Sequence, residues 1–105
     1  MEYVFVPLFK PDTGVLKDLN LVSQCLKLTE EAGELAQKIG ILTGESGCRK
    51  PVPGDIVKQT AEEVFDVMQT AASALVILQR DYGADALKSW KLHLEKMRER
   101  GYCTE

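Results

Sequence analysis

A single histidine, three cysteines and four prolines are all that this 105-residue chain holds of those types, and each shortage closes a class of function. Cys25, Cys48 and Cys103 are far apart, odd in number and without C-x-x-C spacing. They support neither a disulfide framework nor a zinc site, and they point to a reducing, cytoplasmic setting. No glutamate stands three residues before His93, so the Glu-x-x-His signature of di-iron bundles is missing. No serine or cysteine motif accompanies His93 either, and it reads as a surface residue rather than a catalyst. Few prolines, 45% hydrophobic and 28% charged residues exclude a disordered tail or a fibrous repeat. Aromatics make up only 7%, which favours helices over strands. The net charge of −3 and the lack of an arginine-rich run disfavour a nucleic-acid partner. A small molecule, recruited through a metal, fits that charge better. The opening "MEYVFVPLF" has an acid at position 2 and is too short for a signal peptide, and no later run is long enough to span a membrane.

What remains is helical periodicity. The length suits one domain over residues 1–105 with a modest core, its burial completed by self-association. Residues 1–14 end in the turn signal "KPDTG" and read as a short extended arm that covers a subunit interface or a pocket. From about Leu16 to Leu42 the apolar residues Leu21, Cys25, Leu28, Ala32, Leu35, Ile39 and Leu42 alternate at steps of four and three, the seam of a first helix. "TGESGCRKPVPG" then ends that helix and suits a loop, with a mobile lid as one role for it. A second helix is expected to start near Pro53 to Asp55, with Asp55 as its cap, and to run to about Arg80. A third, about Ala84 to Arg100, is expected to bury Leu87, Trp90, Leu94 and Met97 and to stop at Gly101. The fold class that follows is all-α, a bundle of three main helices per chain.

Two acidic stripes lie on these helices. On the first, Gln24, Lys27, Glu31, Glu34 and Lys38 fall at steps of three and four along one flank of the apolar seam, while Glu30 points further outward. Such a flank is ordinarily solvated, with Lys27–Glu31 and Glu34–Lys38 as ion pairs. On the second, Gln59, Glu63, Asp66, Thr70 and Ser73 form a narrow polar stripe in a helix otherwise suited to burial. Glu63 and Asp66 have no lysine or arginine at i±3 or i±4, so a partner for them must come from another element or be a cation. If the two helices pack antiparallel, Glu31 and Glu34 face Glu63 and Asp66. Hard divalent ions, Mg²⁺ with Mn²⁺ as the alternative, take oxygen ligands of this kind, and the ion would then attract an anionic nucleotide.

"EEAGE" (Glu30 to Glu34) followed by "EEVFD" (Glu62 to Asp66) resembles the paired EExxE and ExxD motifs of the MazG-like, all-α nucleoside triphosphate pyrophosphohydrolases, over roughly Val22 to Tyr102. The resemblance implies Mg²⁺-dependent hydrolysis of a nucleoside triphosphate between the α and β phosphates, and a homodimer or homotetramer. It implies Glu31, Glu34, Glu63 and Asp66 as metal ligands, with Glu30 and Glu31 as candidates for the group that activates water. The basic end of the last helix, "KLHLEKMRERGY", resembles the phosphate-binding end of the family's last helix. Lys96 and Arg100 form an i,i+4 pair suited to an anion, and a solvated face paired with Glu95 and Glu99 is the alternative. Lys27, beside Glu31, either reaches the phosphates or pairs with that glutamate. In one respect the chain departs from the family: no asparagine follows Asn20, whereas many relatives use one in the last helix to position the nucleotide. Trp90, spaced helically with Leu87 and Leu94, reads as core rather than as a base-stacking platform. Three alternatives remain: action on dUTP, action on phosphoribosyl-ATP, or a non-catalytic helical oligomer that serves as an interaction module.

Overall fold

The structure, a computed structural model, describes residues 17–45 and 54–102. The expected arm over residues 1–14, most of the glycine- and proline-rich loop, Cys48 and Cys103 lie outside the described residues. Three helices and no strand are found among those described: α1 (Leu21–Thr43), α2 (Ile56–Tyr82) and α3 (Ala86–Glu99). The all-α, three-helix expectation holds. No helix among the described residues is long and apolar enough to cross a membrane.

α1 starts at Leu21, about five residues later than the periodicity suggested, because a reciprocal cap fixes it there. The Ser23 N–H donates to Asn20 Oδ1 at 2.8 Å, and the Asn20 N–H donates to Ser23 Oγ at 3.2 Å. Two otherwise unpaired backbone donors are satisfied by that exchange. Gly44, at φ +75, ends the helix in the left-handed region that glycine enters without steric cost. α2 ends in the same way at Gly83 (φ +71), where the Ala84 N–H returns to the Leu78 carbonyl at 3.1 Å. Asp85 caps α3 by accepting from the Lys88 N–H at 3.0 Å, and Gly101 (φ +80) stops that helix as expected. Asp55 does not cap α2 through its side chain. Its Oδ1 accepts instead from Gln59 Nε2 at 2.7 Å.

α1 and α2 form an antiparallel hairpin, tied at both ends by side chains that cross between them. At one end Lys38 Nζ donates to Gln59 Oε1 at 2.9 Å. At the other, Arg80 Nη2 donates to the Leu19 carbonyl at 2.8 Å while the same side chain pairs with Asp81. The face of α1 turned to α2 runs through Leu21, Gln24, Leu28, Glu31, Leu35 and Lys38. It corrects the apolar seam read from the sequence: Cys25, Ala32, Ile39 and Leu42 are exposed, and Gln24 and Glu31 take buried places. The polar stripe of α2 explains the exchange. Thr60, Thr70 and Ser73 are buried against α1, with hydroxyls satisfied by the carbonyls of Ile56, Asp66 and Gln69 of their own helix. A partly polar inner face on α2 favours polar partners on α1.

Among the described hydrophobic side chains only Ile56 and Ile77 are buried. α3 lies lightly against α2, so Leu87 and Trp90, expected in the core, are exposed, while Leu94 and Met97 are half-buried. Trp90 stacks on His93 with ring centroids 6.0 Å apart, and His93 is exposed, as its reading as a surface residue anticipated. A second apolar line on α2 is left exposed at Val57, Ala61, Val64 and Leu75, with Met68 half-buried on it.

Candidate functional site

At the middle of the hairpin, α1 supplies Glu31 and α2 supplies Glu63 and Asp66. Residues 63 and 66 lie one turn apart on α2, and antiparallel packing brings Glu31 opposite that turn. One carboxylate oxygen from each of the three lies within 4.8 Å of the other two. Two oxygens on one Mg²⁺, each at about 2.1 Å, stand at most about 4.2 Å apart, so small side-chain rotations bring these three onto a common ion.

The burial is uneven, and the unevenness shapes the chemistry. Glu31 is buried, Glu63 half-buried and Asp66 exposed. Glu31 Oε1 accepts from Lys27 Nζ at 2.9 Å, the reach of an i,i+4 pair, and Lys27 also stands 3.8 Å from Glu30 Oε1. Glu31 Oε2 and Glu63 Oε2 are both shut from solvent and have no hydrogen-bond donor. Two buried acceptors that share a site satisfy each other only through a proton or a cation placed between them. The electrostatics express the same conflict. The Lys27 ammonium holds the Glu31 carboxyl below its usual range against the opposing effect of burial. Burial pushes Glu63 up, and the charges of Glu34, Asp66 and Glu31 push it further. Lys27 is held above the ordinary lysine value by its bond to Glu31 and the charge of Glu30.

Of the residues singled out from the sequence, Glu31, Glu63 and Asp66 come together. Glu34 sits on the exposed rim, where its charge bears on Glu63 without joining the close triad. Glu30 points outward, with its side chain 59% exposed. Lys27 takes the pairing with Glu31, one of the two roles open to it. The other expected pair, Glu34 with Lys38, is not formed among the described residues, since Lys38 turns across to Gln59. Lys96 on α3 and Arg100 at its C-cap are exposed, on the helix that packs least on the hairpin. The Lys38–Gln59–Asp55 chain, one turn along from the acids, was not anticipated. The polar steps at residues 38 and 59 were its only trace in the sequence.

A triad of this kind can hold one hard divalent cation with open positions left for water and an anion, and its exposed side, at Asp66, is the side a ligand would approach from. Comparison of the chain with family models, with curated proteins and with solved structures finds no match in any of the three.

Proposed function

We propose that the chain is a Mg²⁺-dependent nucleoside triphosphate pyrophosphohydrolase, with Mn²⁺ able to substitute, acting in a cytoplasmic nucleotide-pool role. The observation that carries this reading is the pair of orphaned, buried oxygens, Glu31 Oε2 and Glu63 Oε2, beside Asp66 in the middle of the α1–α2 hairpin. A bundle gains nothing in stability from acids gathered in this way without a cation. The resemblance of "EEAGE" and "EEVFD" to the MazG-like family supplies the reaction, NTP and water to NMP and pyrophosphate.

When bound, Mg²⁺ supplies neutralisation of phosphate charge and acidification of a water molecule. Glu31, Glu63 and Asp66 hold the ion, and Glu34 completes the ligand set from the rim. Glu30, outward-facing on the same turn, or Glu31 takes the proton of the attacking water. Lys96 and Arg100 bind the phosphates in an assembled oligomer. The exposed apolar faces support a homodimer or homotetramer: Leu26 and Ile39 on α1, Val64 and Leu75 on α2, Leu87 and Trp90 on α3.

The test is product analysis after incubation of the protein and Mg²⁺ with canonical and modified nucleoside triphosphates, dUTP and phosphoribosyl-ATP. Release of a monophosphate and pyrophosphate is expected, falling at least about a thousandfold in Glu63→Gln and Asp66→Asn. If no nucleotide gives these products, the proposal fails, and dUTP or phosphoribosyl-ATP as sole substrate reassigns the specificity within the same chemistry.

A further inference from the structure

We infer that Lys27 is the resident counter-charge of the acidic site in its metal-free form, and that a divalent ion at Glu31 displaces it and frees its ammonium for the anion that the ion recruits. The inference rests on the proposed metal site and adds to it a residue that moves between two partners.

Lys27 Nζ lies 2.9 Å from Glu31 Oε1, the outer oxygen of a side chain only 9% exposed, while the lysine side chain itself is 49% exposed. It therefore reaches in from the rim and stops at Oε1, leaving Oε2 without a donor. Lys27 thus neutralises Glu31 through Oε1 alone. The charge left on the cluster explains why it still demands a metal.

Occupation of the triad by a divalent ion changes the balance at Lys27. A double charge held through Glu31 repels an ammonium on the other oxygen of the same carboxylate, and the ion takes over the neutralisation the lysine had provided. Lys27 is the group that yields, because its flexible stem already stands half in water and its charge is readily solvated there. Released into water 3.8 Å from Glu30 Oε1, its ammonium is then free to pair with a phosphate held by the ion. A side chain fixed only to orient Glu31 would behave in the opposite way, since its loss would loosen a ligand.

Lys27→Met separates the two behaviours. Mn²⁺ binding is measured by calorimetry at low ionic strength and pH 8 for wild type, Lys27→Met and Glu63→Gln. Lys27→Met is expected to bind Mn²⁺ about tenfold more tightly than wild type and, at saturating Mn²⁺, to bind inorganic triphosphate about tenfold more weakly. Unchanged or weaker Mn²⁺ binding in Lys27→Met, with wild type binding normally, overturns the displacement alone. Identical, negligible Mn²⁺ binding in wild type and Glu63→Gln overturns the metal site and the displacement together. Lys27→Gln, checked for helicity by circular dichroism, gives the same comparison if the methionine variant does not fold.

Discussion

Among the described residues, Glu63 is the one carboxyl held above its usual range. Its carboxyl is half-buried, meets the charges of Glu34, Asp66 and Glu31, and has no lysine or arginine three or four residues away on its own helix. Burial and those charges raise its pKa, so the folded protein keeps a proton that the unfolded chain has already released at the same pH. Stability therefore falls as pH rises from the ordinary carboxylate value through the raised one. Glu31 runs the other way. Its pKa is lowered by Lys27, and its contribution, present above the ordinary carboxylate value, is lost as pH falls through the lowered one. In chelator at pH 7, Glu63→Gln is accordingly expected to melt a few degrees above wild type, and the gap to close as pH falls below the carboxylate range. With Mg²⁺ added the order should reverse, because only wild type gains the stabilisation of a bound ion. Thermal melts across pH, with and without the ion, read both effects. A Glu63→Gln variant no more stable than wild type in chelator would mean that the buried carboxylate is already neutralised by other means.

Elements here are defined more by their ends than by their middles. Asn20 and Ser23 fix the start of α1 through two short-range hydrogen bonds, and nothing in the apolar period from Leu16 onward signals that boundary. Asn20→Ala removes the acceptor for the Ser23 N–H and is expected to cost about 1 kcal/mol, read as a fall in melting temperature of about 4–8 °C for a domain of this size. A null result would place the start of the helix under tertiary rather than local control. The helix ends were legible because glycine at Gly44, Gly83 and Gly101 occupies left-handed φ, a conformation other residues enter only with strain. The facing of α1 was not legible. Leu21, Leu28 and Leu35 belong to two overlapping lines, one continued by Cys25, Ala32 and Ile39 and the other by Gln24, Glu31 and Lys38. Hydropathy favours the first, and packing against α2 selects the second. The polar stripe of α2 was the signal that could have decided it, because buried hydroxyls and carboxylates accept a polar neighbour more readily than an aliphatic one.

At the scale of the whole molecule, the described part of one chain is a two-helix hairpin with a third helix loosely attached and a large apolar surface left in water. Val57 at 67%, Leu87 at 63% and Trp90 at 54% exposure are far from the burial that such side chains reach in a finished core. If self-association covers these faces, a charge on the outer line of α2 should undo it. Leu75→Glu, nine residues beyond Asp66 on α2, is expected to shift the protein to monomers in sedimentation velocity. An unchanged sedimentation coefficient would remove that face from any interface. The sequence alone determined that the chain is helical, where its helices end, and that Glu31, Glu63 and Asp66 stand at steps compatible with a common site, because period, glycine and residue spacing are local properties. Only the tertiary structure decided that Glu31 turns inward, that its second oxygen and that of Glu63 go without a donor, that Lys27 pairs with Glu31, and that Trp90 is exposed on the single chain. These depend on which of two possible faces meets a neighbouring helix, and that choice is made by the neighbour.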